Sequence, residues 1–450
     1  MLSAFTNSFK IPELRQRILF TMGLMFVVRI VANIPTPGVD SVAVQQIIRD
    51  LQASAGGGFL GLFDMFSGGA LSNLAIGALG IMPYISASII MQLLTAVVPT
   101  LGRLSREGDA GRQKIIQYSR YMTVGLSVIQ GYFMAVTLEH PEALGIQHQI
   151  VLHGGFGFVL TTVVTMTTGS MLIMWLGEQI TQRGIGNGIS LIITEGIVSR
   201  LPAAIYATYN MVLRPTENGG HEFLVFQLIG LLGMLFLVIA GTVALTQGQR
   251  KVAIQYAKRV VGRKVYGGQQ TYMPLRVNYS GVMPIIFAQS LLMFPAMLLG
   301  RLPWNFTKAL AAALSMDTGL YLLLYGLLIL FFSYFWVATQ FNPTQVADDL
   351  KKYGGYVPGI RPGHATGEFL DNTMTRITFA GAVFLTVIAV IPTVMSRKFN
   401  VPWLVASFFG GTSLLITVGV MLDTMRQVES HLLTRHYDGF LKRGKLRARR

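Results

Sequence analysis

Ten apolar stretches, each about 20 residues long, recur along this chain at roughly 18–37, 75–98, 118–138, 155–177, 188–208, 223–245, 281–300, 319–340, 373–395 and 406–425. No single water-soluble core absorbs them. Hydrophobic residues make up 52% of the 450 positions and charged residues 12%, about half the roughly 25% usual in soluble domains. A soluble fold of that composition would expose large apolar patches to water. The chain is therefore predicted to be an all-α polytopic membrane protein with ten transmembrane helices. An even number of crossings places both termini on one side.

The hydrophilic segments give the orientation. Lys and Arg concentrate in the N-terminal tail (Lys10, Arg15, Arg17), in the loops after spans 2, 4, 6 and 8, and in the C-terminal tail. The opposite side holds Arg49, Arg200, Arg214, Arg301, Lys308, Arg397 and Lys398 of 36 Lys and Arg in all, and Arg29 lies within span 1. The positive-inside rule then puts both termini in the cytoplasm. Ile34-Pro-Thr-Pro-Gly38 follows the first apolar run without a small-residue cleavage pattern, so a removable signal peptide is not expected.

Two hydrophilic loops stand out. Thr246 to Ser280 carries Arg250, Lys251, Lys258, Arg259, Arg263, Lys264 and Arg276 and no Asp or Glu. Such a loop suits an acidic lipid headgroup, an acidic protein or RNA. Between Lys251 and Pro274, β-branched residues flank Gly262 and Gly267-Gly268, which predicts a short protruding hairpin. The loop from Asn342 to Asn372 contains Lys351-Lys352 and Pro358-Gly-Ile-Arg361-Pro362, whose prolines restrict the backbone and hold Arg361 at a tip. On residues alone, a solvated charged loop is the simpler reading.

Before span 2, Gly61 to Asn73 is apolar on one side but too short to cross. Asp64 and Gly68-Gly69 argue against burial in lipid, and Gly56-Gly57-Gly58 lets the segment move. A short helix re-entering from outside and lodged in protein fits, as does a surface loop helix. Two halves of five spans permit an inverted repeat, although no residue-level repeat is visible.

Catalytic constellations are not found. The chain has no cysteine, and its seven histidines include no His-Glu-x-x-His, so neither a metal nor a cofactor is implied. Gly439-Phe-Leu-Lys-Arg-Gly-Lys445 resembles a phosphate-binding loop, but Leu446 replaces the required Ser or Thr. Arg183-Gly-Ile-Gly-Asn-Gly188 follows a membrane helix rather than a strand, and reads as a tight turn instead of a dinucleotide fingerprint. Glu195 in span 5 and Asp423 near the end of span 10 are intramembrane charges, each without an obvious partner in sequence. They keep open an ion-coupled secondary solute transporter as the alternative function.

Longer strings are more specific. Ala78-Leu-Gly-Ile-Met-Pro-Tyr-Ile-Ser-Ala-Ser-Ile-Ile90, Gly177-Glu-Gln-Ile-Thr-Gln-Arg-Gly-Ile-Gly-Asn-Gly-Ile-Ser190, Val357-Pro-Gly-Ile-Arg-Pro-Gly363, Gly411-Thr-Ser-Leu-Leu-Ile416 and Arg435-His-Tyr-Asp-Gly-Phe-Leu441 resemble the SecY protein-translocation channel family, in order and over essentially the whole chain. The resemblance implies an hourglass channel built from an N-terminal half (18–208) and a C-terminal half (223–425), joined by an external hinge loop (209–222). The docking loops would be 246–280 and 341–372, and the cytoplasmic tails 1–17 and 426–450.

It further implies a pore ring of Ile81, Ile85, Ile189, Ile193, Ile286 and Ile416, branched alkyl groups that offer an ion nothing in place of its hydration shell. The plug maps to Leu62, Phe63, Asp64, Met65, Phe66, Ser67, Gly68, Gly69, Ala70, Leu71, Ser72 and Asn73. The lateral gate maps to Ser86, Gln92, Gln289 and Ser290. Docking of the SecA motor ATPase and of ribosomal RNA maps to Arg250, Lys251, Lys258, Arg259, Arg263, Lys264, Lys351, Lys352 and Arg361. The implied partners are SecE-like and SecG-like small subunits, SecA, the ribosome, signal sequences and nascent polypeptides, and lipid. The implied place is the bacterial cytoplasmic membrane, and the implied activity is passive conduction of unfolded polypeptide rather than catalysis. Glu195 lies outside the family pattern.

Overall fold

The computed structural model of the chain describes residues 11–39, 63–139, 151, 154–213, 225–256, 259–261, 264–266, 270–299, 304–315, 318–399, 401 and 403–443. Helices occupy all ten predicted positions. They are α1 (Pro12–Val31), α2 (Met82–Val97) with α3 (Pro99–Arg106), α4 (Asp109–Glu139), α5 (Phe156–Arg183), α6 (Gly188–Leu213), α7 (Val225–Gln247), α8 (Met283–Leu299), α10 (Gly319–Gln340) after the short α9 (Asn305–Ala313), α12 (His364–Phe399) after α11 (Pro343–Lys352), and α13 (Trp403–Gly410) leading into α14 (Thr412–Arg443).

Among the described residues six helices, α4, α5, α6, α7, α10 and α12, are long and apolar enough to cross a membrane, or seven spans if the α2–α3 pair counts as one. The polar content of α1 (Arg15, Arg17, Arg29) and of α14 (Asp423, Arg426) explains why hydropathy alone does not single those two out. The outer faces are greasy. Leu320, Leu323, Leu327 and Phe331 form one exposed stripe along α10, as hydrocarbon rather than water requires.

The chain divides into two compact units, Met1–Val225 with Pro402–Phe408 and Ile416–Arg450, and Phe226–Val401 with Phe409–Leu415. In the first unit, α2 breaks at Val98, and α3 leaves it at 104° inside the segment predicted as loop. Pro99 lacks the N–H that would continue α2 and has the φ that begins a new helix. Span 2 also starts later than predicted. Residues 76–81 are turns, and α2 begins only after Ile81, with Pro83 in its first turn.

The Arg183–Gly188 turn joins α5 to α6, as predicted. The amide of Ile185 donates to Thr21 Oγ1 (3.1 Å), that of Gly186 to Gln427 Oε1 (2.9 Å) and that of Gly188 to Thr181 Oγ1 (2.9 Å). Asn187 Oδ1 caps α6 by accepting from the amides of Ile189 and Ser190. The turn is thereby tied to α1, α5 and α14, with Leu14, Ile185 and Val428 as its small core.

The second unit carries the predicted hairpin and more. Strands β1 (Gln249–Tyr256) and β4 (Gln270–Arg276) pair antiparallel from Gln249↔Arg276 to Gln255↔Gln270. Strands β2 (Arg259–Val261) and β3 (Lys264–Tyr266) form a second, two-stranded ladder. Strand β5 (Gly355–Tyr356), from the other basic loop, adds to the free edge of β1. Val252, Leu275, Val337, Val357, Leu370 and Met374 form one buried cluster that fixes the sheet to the ends of α10 and α12. The two hydrophilic loops read as separate in sequence are thus one platform.

Candidate functional site

Residues 63–75 pack inside the first unit rather than on its surface. The segment is less helical than predicted, with one helical turn at 63–66 followed by turns through Leu74. Gly68 and Gly69 explain the difference, since their φ values of +67° and +88° lie where a helix cannot continue. Leu62 lies outside the described residues. Phe63, Met65, Phe66, Ala70 and Leu71 are buried, as are Asp64 and Ser67. Local hydrogen bonds hold the fold of the segment: the Gly69 amide donates to the Asp64 carbonyl (2.8 Å) and the Ala75 amide to the Ala70 carbonyl (2.8 Å).

Its seat is built by α1 and α6. Gly196 on α6 lets the backbones meet, because a Cβ there would stand 3.1 Å from Gly68 N, Met65 O and Phe66 O. One turn away, Arg200 reaches the segment. Its Nη2 donates to Asp64 Oδ2 and, at 2.7 Å, to Ser72 Oγ, while Asp64 Oδ1 accepts the Ser72 amide at 2.8 Å. From α1, Arg29 donates to the Gly68 carbonyl and, at 3.1 Å, to Ser199 Oγ. Glu195, half-buried on α6, lies within the field of Arg29, and no ion pair joins the two among the described residues. Asn73 Nδ2 meets Asn33 Oδ1 at 3.3 Å, and Ser407 Oγ lies 3.7 Å from Met65 Sδ. Sequence reading noted Arg29 and Arg200 as charges but missed that they converge on Gly68 and Asp64. Their only signal is charge at membrane depth.

In the first unit, Ile85 donates its amide to the Ile81 carbonyl (3.1 Å), which puts both side chains on one face of the start of α2, and both are buried. Ile189 and Ile193 hold the same relation on α6. Ile193 is buried, whereas half-buried Ile189 leans toward Gly177 of α5, 3.6 Å from the place of a Cβ there. Ile416 on α14 is fully buried, and so in the second unit is Ile286 on α8. Ser86 and Gln92 are half-buried on α2. Ser290 turns its hydroxyl to the Ile286 carbonyl (2.8 Å), and Gln289 is buried.

On the platform, Arg250 and Lys251 are exposed on β1, and Arg250 lines a cavity of about 280 Å³ with Phe369, Asn372, Thr373 and Arg376 of α12. Arg259 pairs with Tyr266 at one end of the β2–β3 ladder and Lys264 with Val261 at the other, while Lys258 and Arg263 lie outside the described residues. Lys351 and Lys352 end α11, with Lys352 Nζ 3.6 Å from Asp349. Arg361 is exposed on a stiff tip, where Gly359 and Gly363 have positive φ and the Arg361 carbonyl accepts Thr366 Oγ1 at 2.9 Å.

Residues 75–425 match the family model described as SecY. The protein translocase subunit SecY of Streptomyces galbus is 45% identical over 460 residues, covering 98% of this chain and all of the relative. That of Escherichia coli K12 is 45% identical over 439 residues, covering 97% of this chain and 95% of the relative. Among solved structures, a SecY whose plug domain is described as stabilising the closed state and maintaining a membrane seal aligns with a TM-score of 0.61. It is 17% identical and covers 92% of this chain and 91% of the other. Sec61 in the canine ribosome–channel complex of the endoplasmic reticulum aligns with a TM-score of 0.56 at 15% identity, covering 92% and 91%. Those two likenesses describe the fold.

Proposed function

The chain belongs to the SecY family of protein translocase subunits, and from that premise we propose how it acts as a multi-pass protein-conducting channel. Unfolded secretory polypeptides pass through it, and signal sequences or membrane segments leave sideways into lipid, with Ser86 and Gln92 of α2 and Gln289 and Ser290 of α8 as the gate residues. Lateral release gives each Leu or Ile about 0.3–0.6 kcal/mol on the insertion scale, so the hydrophobicity of the substrate sorts secretion from integration. The solute-transporter alternative finds no support, since the relatives are translocase subunits.

The observation that carries this reading is the seated segment 63–75. Irregular backbone at membrane depth is tolerated only inside protein or beside water. Here it is held by a few side-chain bonds and not by a helical ladder, so it can leave as a unit. It serves as the plug. Ile81, Ile85, Ile189, Ile193, Ile286 and Ile416 line the constriction, where alkyl groups raise a dewetting barrier to ions and yield around a polypeptide.

The channel has no engine of its own. SecA or a translating ribosome docks on the sheet platform through Arg250, Lys251, Lys258, Arg259, Arg263, Lys264, Lys351, Lys352 and Arg361, and SecE-like and SecG-like subunits complete the complex. The terminal-side excess of Lys and Arg supports cytoplasmic tails, and the kinship to bacterial translocase subunits supports an inner-membrane location. Because the chain has no cysteine, Ile85→Cys is a clean probe. A stalled secretory polypeptide crosslinks there. Protection of that site by a small solute, without any polypeptide crosslink, would sink the channel reading.

A further inference from the structure

We infer that Arg200 and Arg29 are plug-positioning residues, a two-arginine clamp that closes residues 64–72 onto α6 and α1 and sets how readily the resting channel opens. The inference rests on the plug reading above.

Asp64 sits at one end of the loop and Ser72 at the other. The Asp64 carboxylate engages both of its oxygens, Oδ1 with the Ser72 amide at 2.8 Å and Oδ2 with Arg200 Nη2. The same Nη2 donates to Ser72 Oγ at 2.7 Å. Arg200 therefore holds the two ends of the loop together and fastens both to α6. Arg29 takes the middle of the loop. It grips the Gly68 carbonyl at the point where Gly196 brings helix and loop backbones together, and Ser199 Oγ at 3.1 Å completes that junction. A Cβ at Gly69 would lie 2.8 Å from the Arg200 guanidinium, so the loop is shaped around the clamp.

The contacts from Arg200 and Arg29 to the segment exist only while it is seated. An interaction made in one state alone biases the equilibrium toward that state by its full differential strength. The Asp64 side chain is 6% exposed and that of Arg200 23%, so the pair is stronger than a surface ion pair and weaker than a fully desolvated one. Water solvates Asp64 once the plug leaves, which limits the bias further. Arg29 makes its contact to a backbone carbonyl, which carries only a partial charge. The Asp64–Arg200 arm joins two full charges, so it is the arm to test.

The readout is ion conductance of the polypeptide-free protein, reconstituted with its small subunits in planar bilayers. Asp64→Asn and Arg200→Gln each raise the resting leak about tenfold, and the double variant leaks no more than the larger single, as partners in one interaction require. Arg200→Lys restores most of the seal, which a purely space-filling role for the side chain does not predict. Single variants within about twofold of the parent, or a double equal to the product of the two singles, overturn the clamp. Should the neutral variants fail to fold, Ser72→Ala removes one bond from Arg200 and raises the leak about threefold, and an unchanged leak overturns the clamp as well. Crosslinking of a stalled polypeptide to Ile85→Cys is followed in every variant. Unchanged leak with crosslinking intact removes the clamp alone, whereas no crosslink in the parent background removes the channel reading beneath it.

Discussion

Arg120 on α4 grips Glu178 on α5 through two parallel hydrogen bonds, Nε to Oε1 at 3.0 Å and Nη2 to Oε2 at 2.6 Å. Only Arg offers that planar fork, and a Lys can make one of the two bonds at a time. Glu178 is 12% exposed and Arg120 42%, so the pair lies between a surface bridge and a buried one. Arg120→Lys is expected to cost about 1 kcal/mol. The thermal midpoint of the solubilised protein should fall by about 2 °C. Glu178→Gln should do at least as much, and a midpoint unchanged in both variants would show that the fork contributes nothing to the α4–α5 contact.

The turn between α5 and α6 hangs on Asn187. Its Oδ1 caps two amides of α6, at 3.1 and 3.3 Å, and the turn around it is pinned by Thr21, Thr181 and Gln427. Asn187→Ala removes the cap and leaves the three outside bonds, for a loss of about 0.5–2 kcal/mol. Asn187→Asp keeps an acceptor at the helix N-terminus and should lose a few tenths of that at most. Hydrogen exchange at Ile189 and Ser190 distinguishes the two, with faster exchange in the Ala variant only.

Hydropathy made the ten helix positions legible because a span of about 20 apolar residues leaves few alternatives. The β1–β4 hairpin was legible from β-branched residues around glycines. Strand β5 was not, since Gly355–Tyr356 has no strand signal of its own and becomes one by pairing with β1. Span 2 is predicted to end at 98 in a loop, but Pro99 instead opens a helix turned through 104°. Over residues 63–75, apolar spacing suggests a helix, and two consecutive glycines of positive φ end it after one turn. The clamp was invisible for a plainer reason. Asp64 and Arg200 are 136 positions apart, and no spacing rule connects residues that only the packing of α6 on the plug brings together.

Leu370 is fully buried in the cluster that carries the sheet, with Val252, Leu275, Val337, Val357 and Met374 around it. Leu370→Ala leaves a cavity there, at a cost of about 2–5 kcal/mol. That cluster joins β1, β4 and the segment after β5 to the ends of α10 and α12, so its loosening should be local. Proteolysis within 249–276 and 355–363 should quicken, while the fluorescence of tryptophan probes placed in α4 or α5 stays as in the parent. Equal loosening of both units would show that the platform is not a separate element of stability.

Arg361 separates docking from folding. Its side chain is exposed, and the backbone of its tip is fixed by other groups, the Ile360 amide on the Val357 carbonyl (3.1 Å) and Thr366 Oγ1 on the Arg361 carbonyl (2.9 Å). Arg361→Glu therefore should leave the midpoint within about 1 °C of the parent, as surface changes away from packed features do. The charge reversal acts on the partner, where like charges repel and an oriented donor is lost. SecA-driven translocation should drop more than tenfold in vesicles with the same amount of inserted protein, about 1.4 kcal/mol of lost docking or more. Ribosome binding adds a second axis to the test. Removing Arg259 and Lys264 together should lower the slope of log affinity against log salt by roughly 1 to 2, because each phosphate contact releases counterions. If Arg361→Glu exports normally and the double removal leaves the salt slope unchanged, the basic platform is a solvated surface and the motor docks elsewhere.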